Sequence, residues 1–228
     1  MIPLRFGYLI LVIVGMIFWT TFFILRKDLR KTMVLTGIFY GVLSLVTAQI
    51  WWTVDWWHPL TLTGTRVGIE DFFTGFGAGG VMMVIYQVFF SKKITFPKLK
   101  TYPIARILFS VIVLLTIEVL IYYAGLTSFE SFTLMVWLGT IFMWTTRRDL
   151  IVPSIWSGVL TMICILPAYY VTILTVPGWV SATYYFNHLP TSMLITGIPI
   201  VELIFWLTAG SFIGILGAFT RSGKFVTN

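Results

Sequence analysis

Long apolar runs separated by short polar connections make up most of this chain of 228 residues. A helix needs ~20 mostly apolar residues to cross the hydrocarbon core of a bilayer. The runs that reach or approach this length are 4–25, 33–54, 67–90, 104–125, 131–146, 151–175 and 196–219. The pattern predicts an all-α membrane protein, a bundle of seven transmembrane helices. Six or eight helices are the alternatives, because the later runs are short or contain proline.

Composition supports membrane helices over a soluble core. The chain is 58% hydrophobic and 10% charged, whereas soluble domains carry roughly 25% charged residues. Tryptophan pairs at Trp51-Trp52 and Trp56-Trp57 lie near the end of an apolar run, where such rings suit the headgroup zone. The first run follows a single Arg5 and has no small-residue cleavage site before Arg26, which favours a retained helix over a signal peptide.

The net charge of +7 is distributed in a way that predicts orientation rather than nucleic-acid binding. Thirteen of the fifteen Lys and Arg residues fall in or beside alternate connections and the C-terminal tail, and only Arg5 and Arg66 belong to the opposite side. Basic residues near membrane helices mark the cytoplasmic side. We therefore expect a multi-pass protein of the cell membrane with its N-terminus outside and its C-terminus in the cytoplasm, and no nucleic-acid partner.

An internal repeat divides the chain. Trp19-Thr20-Thr21 followed by Arg26-Lys27-Asp28-Leu29 recurs as Trp144-Thr145-Thr146 followed by Arg147-Arg148-Asp149-Leu150. The third helix of each unit opens with a related segment, which aligns Glu70-Asp71 with Val201-Glu202. These matches predict two three-helix repeats, residues 1–95 and 128–228, joined by a connecting transmembrane helix within 96–127. One extra crossing helix gives both repeats the same orientation, so the repeat is parallel.

Four acidic residues at membrane depth are the candidate functional groups, because ionisable side chains are costly there. They are Glu70, Asp71, Glu118 and Glu202, and all fall in the outer half of the predicted helices. For Glu70 and Asp71 the alternative is a solvated interface position favoured by the positive end of the helix dipole.

The remaining polar motifs indicate structure. Asp55, beside His58, suits a helix cap or interface anchor, and Asp28 and Asp149 suit local ion pairs with neighbouring arginines. The glycine-rich segment 75–80 lies inside an apolar run, where small residues favour close helix packing rather than nucleotide binding. His58 and His188 lack a second histidine at ligand spacing, and the single Cys164 lies in an apolar stretch. No cofactor, metal site or disulfide is therefore predicted.

The chain resembles a known family, the small membrane lycopene cyclases found as paired subunits or tandem fusions in some bacteria, archaea and fungi. The resemblance rests on the repeated Arg-x-Asp-Leu turn and on a helix-opening motif whose family form is Pro-x-Glu-Glu followed by Leu or Phe. Gly68-Ile69-Glu70-Asp71-Phe72-Phe73 and Pro199-Ile200-Val201-Glu202-Leu203 represent that motif here. The first copy has glycine for proline and aspartate for the second glutamate, and the second copy has valine for the first glutamate.

This resemblance implies that the chain forms β-ionone rings on lycopene, giving γ-carotene and β-carotene, by a proton-initiated cyclisation without net redox change. Glu70 or Asp71, together with Glu202, would be the acid and the base, and Glu118 a pairing partner. Burial or close pairing of carboxyls favours the protonated acid that such chemistry needs, and aromatic faces stabilise cations. Lycopene and membrane lipid would be the partners.

Other readings of the same acids remain open. A proton-coupled small-molecule carrier would also use intramembrane carboxyls, and a carotenoid-binding protein without activity would keep the same scaffold. A retinal-binding receptor is disfavoured because the last apolar run has no lysine for a Schiff base. The sequence leaves open a homo-oligomer, the ring type, and which acid donates the proton.

Overall fold

The protein is mostly helical. A computed structural model describes residues 2–96, 117, 119–186 and 192–227. Its long helices are α1 (Gly7–Leu25), α2 (Arg30–Thr47), α3 (Ile69–Phe89), α4 (Ser128–Thr146), α5 (Ile151–Thr175) and α6 (Ile200–Thr220). Helix α2 continues through a π-helical stretch, Ala48–Trp52, and a last turn, Thr53–Asp55.

Five helical stretches within the described residues are long and apolar enough to cross a membrane. They are Leu4–Leu25, Lys27–Asp55, Ile69–Phe89, Arg148–Thr175 and Ile200–Thr220. This confirms the predicted class, a helical membrane protein. Of the predicted helix 104–125, residues 104–116 and 118 lie outside the described residues, whereas 117 and 119–123 are helical.

The last predicted helix begins four residues later than its apolar run. Strands β2 (Leu194–Ile195) and β3 (Ile198–Pro199) form a short hairpin before α6. Gly197, at its turn, has φ +90, a backbone conformation that glycine adopts without steric cost. The hydrophobic run therefore extends into the hairpin, and the helix begins only at Ile200.

Helix α4 begins three residues earlier than predicted because its first turn is capped. The Thr127 hydroxyl accepts from the Glu130 N–H at 3.3 Å, and the Glu130 carboxylate accepts from the Thr127 N–H at 2.9 Å, a reciprocal capping box. Asp55 accepts from the Ser128 N–H at 2.9 Å and also from the Ser128 hydroxyl. The prediction that Asp55 is a cap is confirmed, although the helix that it caps is α4 rather than its own.

The two Arg-x-Asp-Leu turns hold one end of the bundle together. Arg26 pairs with Asp28 at 2.9 Å, and Arg147 pairs with Asp149 at 2.6 Å, so the predicted local ion pairs are confirmed. Each arginine also donates to a backbone carbonyl just after the third helix of its predicted repeat. Arg26 donates to the Lys92 carbonyl at 3.0 Å, and Arg147 donates to the Gly223 carbonyl at 2.9 Å. At this end, strand β1 (Lys92–Thr95) pairs antiparallel with β4 (Lys224–Thr227).

Helices α3 and α6 lie at the centre of the described fold and contact one another. Helix α2 packs along α3, α5 packs along α6, and α1 packs against both α3 and α5. Gly75 and Gly79 lie directly against Tyr40 of α2, leaving no room for larger side chains. The interpretation of the glycine-rich segment as a packing surface is confirmed.

Candidate functional site

A cavity of about 190 Å³ lies between the helices, with acidic residues at one end. Its wall comes mainly from α2, α3, α4 and α6, and almost all of its surface is apolar. Along α6 the lining runs from Glu202 to Leu216, roughly 20 Å at 1.5 Å per residue. The cavity is therefore elongated along the helix axes and suits a long apolar chain better than a polar metabolite.

Two of the predicted acids, Asp71 and Glu202, line this cavity. Each lies in the first turn of its helix, Asp71 in α3 and Glu202 in α6, and each is almost fully buried. The structure thus brings to one chamber the two positions that the repeat aligns, 71 and 202.

Asp71 accepts hydrogen bonds on both carboxyl oxygens. The Tyr8 hydroxyl of α1 donates to Oδ1 at 2.9 Å, and the Gly68 N–H donates to Oδ2 at 2.8 Å. Thr74 donates to the Tyr8 oxygen at 3.1 Å. A tyrosine hydroxyl has one proton to give, so the Thr74 contact leaves the Tyr8 proton directed at Asp71.

Glu202 accepts hydrogen bonds on one oxygen, Oε2. The Tyr169 hydroxyl of α5 and the Trp206 Nε1–H, at 3.1 Å, both donate to that atom. Tyr169 is in turn 3.1 Å from the Tyr184 hydroxyl. Tyr169 and Trp206 hold the carboxyl through Oε2, and Tyr184 also lies within hydrogen-bonding reach of the carboxyl, so Oε1 is the oxygen without either of the two Oε2 donors.

Tyr184 and His58 lie outside the membrane-spanning helices, at the end of the site where the two acids lie. Burial raises the pKa of Tyr184 well above its usual value, so its hydroxyl stays a hydrogen-bond donor. Burial lowers the pKa of His58, whose ring lies 4.0 Å from that of Tyr185. The neutral His58 imidazole packs against the Tyr185 ring at this end of the site.

Aromatic rings surround the part of the cavity next to Glu202. Trp52 and Trp56 stack at 5.5 Å between ring centres, and Phe205 lies 5.8 Å and 5.0 Å from them. Phe132 of α4 closes the group, 5.1 Å from Phe205. Trp52, Trp56, Phe132 and Phe205 are called the aromatic box below. Such faces attract positive charge without offering a nucleophilic atom.

Glu70 lies away from the cavity, although it is as deeply buried as Asp71. Its Oε1 accepts from the Leu62 N–H at 2.7 Å, which ties the loop before α3 to the start of that helix. Its Oε2 is buried without a hydrogen-bond partner among the described residues. The geometry separates the adjacent acids, Asp71 facing the cavity and Glu70 the loop.

Two sequence candidates lie outside the described residues, Glu118 and His188. The search of the described part of the chain finds no group of three His, Cys, Asp or Glu side chains that could hold a metal ion.

Sequence reasoning missed the partners of the two acids. Tyr8 and Tyr169 come from other helices, and no local pattern connects them with Asp71 or Glu202. Trp206 could have been found, because it lies four residues after Glu202 and so on the same helix face.

No family model, curated protein or solved structure matches this chain.

Proposed function

We propose that this protein is a lycopene cyclase, an intramolecular isomerase that closes β-ionone rings on the ends of lycopene within the membrane. The observation that carries the proposal is the elongated apolar cavity with two buried carboxyls, Asp71 and Glu202, at one end. Reaction at the end of a long hydrocarbon requires this placement of acidic groups. The sequence resemblance to small membrane lycopene cyclases points to the same chemistry.

The reaction needs one proton in and one proton out. Protonation of the terminal double bond gives a tertiary cation, and the next double bond, the first of the conjugated chain, attacks it to form the ring bond. The cation then lies on a ring carbon, and loss of a neighbouring proton restores a double bond. Atoms and electrons balance without an oxidant or reductant, so Asp71 and Glu202 supply the acid and base, and the aromatic box stabilises the cations.

We propose a seven-helix architecture with two parallel three-helix repeats, 1–95 and 128–228, joined by a helix within 96–127. Paired features at matching places support it. The Arg26 and Arg147 turns make equivalent contacts, and α3 and α6 are both followed by a serine with positive φ, Ser91 and Ser222. The antiparallel pairing of β1 with β4 fits a two-fold relation between the repeats.

We propose that the N-terminus is outside and the C-terminus in the cytoplasm. The basic turns and tail lie at one end of the described bundle and mark it as the cytoplasmic end, and the two cavity acids lie near the other end. A reporter fused after Asn228 should be active in the cytoplasm, and one fused before Met1 should be active outside. Both reporters active on the same side would exclude an odd number of spans.

Expression in a lycopene-accumulating bacterium tests the enzymatic function. Cells carrying this chain should convert lycopene to monocyclic and bicyclic carotenes, resolved by chromatography, while cells carrying the empty vector keep lycopene. The purified protein should work without NAD(P)H, because the reaction is redox-neutral, and it should contain no stoichiometric flavin, because the sequence shows no βαβ phosphate-binding unit. Lycopene that copurifies unchanged would indicate a carotenoid-binding protein, and a substrate-driven proton flux without cyclisation would indicate a proton-coupled carrier.

A further inference from the structure

We infer that the two cavity carboxyls have different roles: Glu202 delivers the proton that starts ring closure, and Asp71 removes the proton that ends it. The inference rests on the proposed cyclisation and deepens it. The two acids occupy equivalent positions in the sequence repeat, but their hydrogen-bond surroundings differ.

The surroundings of Asp71 suit a base. An ionised carboxylate only accepts hydrogen bonds, and here each oxygen already has a donor, Tyr8 on Oδ1 and the Gly68 N–H on Oδ2. The carboxyl also lies in the first turn of α3, where the helix dipole favours negative charge. A proton carried on either oxygen would weaken the hydrogen bond that this oxygen accepts.

The surroundings of Glu202 suit a proton donor. Both donors, Tyr169 and Trp206, reach Oε2, the arrangement expected around the carbonyl oxygen of a neutral carboxylic acid. The proton then belongs on Oε1. Glu202 begins α6 as Asp71 begins α3, so the helix dipole does not distinguish the two acids, and their different hydrogen-bond partners do.

The aromatic box lies on the side of the donor. Phe205 follows Glu202 by three residues on the same helix, and it contacts both Trp52 and Trp56. The first cation forms where the proton is delivered, so the box is placed to stabilise that cation through cation–π attraction. Trp57 packs against Tyr8 at 5.0 Å and against Tyr184 at 6.1 Å, so it lies between the hydrogen-bond partners of the two acids.

The proton balance closes over one turnover. Glu202 gives its proton to the terminal double bond and becomes a carboxylate, the ring bond forms, and Asp71 takes a proton from the ring cation. Transfer of that proton from Asp71 back to Glu202 restores both groups. No further reactant is consumed.

The two roles predict different defects for Glu202→Gln and Asp71→Asn, which keep the shapes of the side chains. In Glu202→Gln, lycopene consumption should be lost without new products, because no cation forms. In Asp71→Asn, lycopene should still be consumed, but the parent's ring should no longer be the main product. A cation without its base loses a proton from another carbon or is captured by water, giving a shifted double bond or a hydroxylated ring.

The experiment compares pigments from the parent, both variants and Tyr8→Phe, normalised to folded protein purified from the membrane. Tyr8→Phe removes one hydrogen bond from Asp71 but keeps both acids, and it should shift the products in the direction of Asp71→Asn. In deuterated medium, products of Asp71→Asn should still gain deuterium at the former terminal double bond.

Two results would overturn the assignment. One is loss of lycopene consumption in Asp71→Asn at normal levels of folded protein, and the other is a changed product pattern in Glu202→Gln. Absence of cyclic carotene from the parent is a distinct result, since it would reject the proposed function itself.

Discussion

Glu202→Gln is expected to lower the rate of carotene cyclisation by about 10²–10⁴-fold, the usual contribution of a positioned acid or base. Glutamine has nearly the shape of glutamate, and its carbonyl oxygen can still accept from Tyr169 and Trp206. The variant therefore keeps the packing of the cavity and loses only the transferable proton. Initial rates on lycopene in detergent or lipid vesicles, per mole of folded protein, measure the effect.

Asp28→Asn is the matched control for Glu202→Gln. Asp28 pairs with Arg26 at the basic end of the bundle, far along the chain from either cavity acid, so its loss should lower expression or stability and leave the rate per folded molecule unchanged. Normal cyclisation by Glu202→Gln would reject Glu202 as the acid.

The orientation of Glu70 could not be predicted from the sequence and required the three-dimensional structure. Sequence alone leaves Glu70 and Asp71 as alternative candidates, because both open α3 and both occupy acidic positions of the helix-opening motif. Successive residues on a helix point about 100° apart, and only the contacts decide which one faces the cavity. The Leu62 N–H holds Glu70 toward the loop.

Hydrophobic run length predicted the five membrane-length helices of the described residues for a physical reason. A helix in lipid satisfies its own backbone, so a long apolar run determines both its conformation and its location. The short run 131–146 does form a helix, α4, but α4 is not among those five, and the exact helix ends depended on local hydrogen bonding. The Thr127–Glu130 capping box moved the start of α4 earlier, and the hairpin at Gly197 moved the start of α6 later.

The site was less predictable than the fold because its partners are distant in sequence. Tyr8 lies 63 residues from Asp71, and Tyr169 lies 33 residues from Glu202. A buried tyrosine looks the same in the sequence whether it fills a core or donates to a carboxyl. The repeat did align positions 71 and 202, and this is the part of the site that sequence reasoning could predict.

The end of the cavity farthest from the two acids offers a test of the cavity's elongated shape. Leu216 lines the cavity, and it lies fourteen residues, almost four helical turns, beyond Glu202 on α6. If one end of the carotene reaches the acids, the rest of the chain must pass this position. A larger side chain here would block the path without touching either carboxyl.

Leu216→Trp should therefore reduce carotene cyclisation by about tenfold or more, since overfilling a packed site costs about 1–3 kcal/mol and 1.4 kcal/mol corresponds to tenfold. The matched control is Leu138→Trp on α4, a position 48% exposed and outside the cavity lining. The measurement is the dependence of the initial rate on the amount of lycopene in vesicles. A truncated lycopene analogue with one intact end should be cyclised almost normally by Leu216→Trp, because its shorter chain ends before this position. Equal losses for the long and truncated substrates would show that the carotene does not lie along α6.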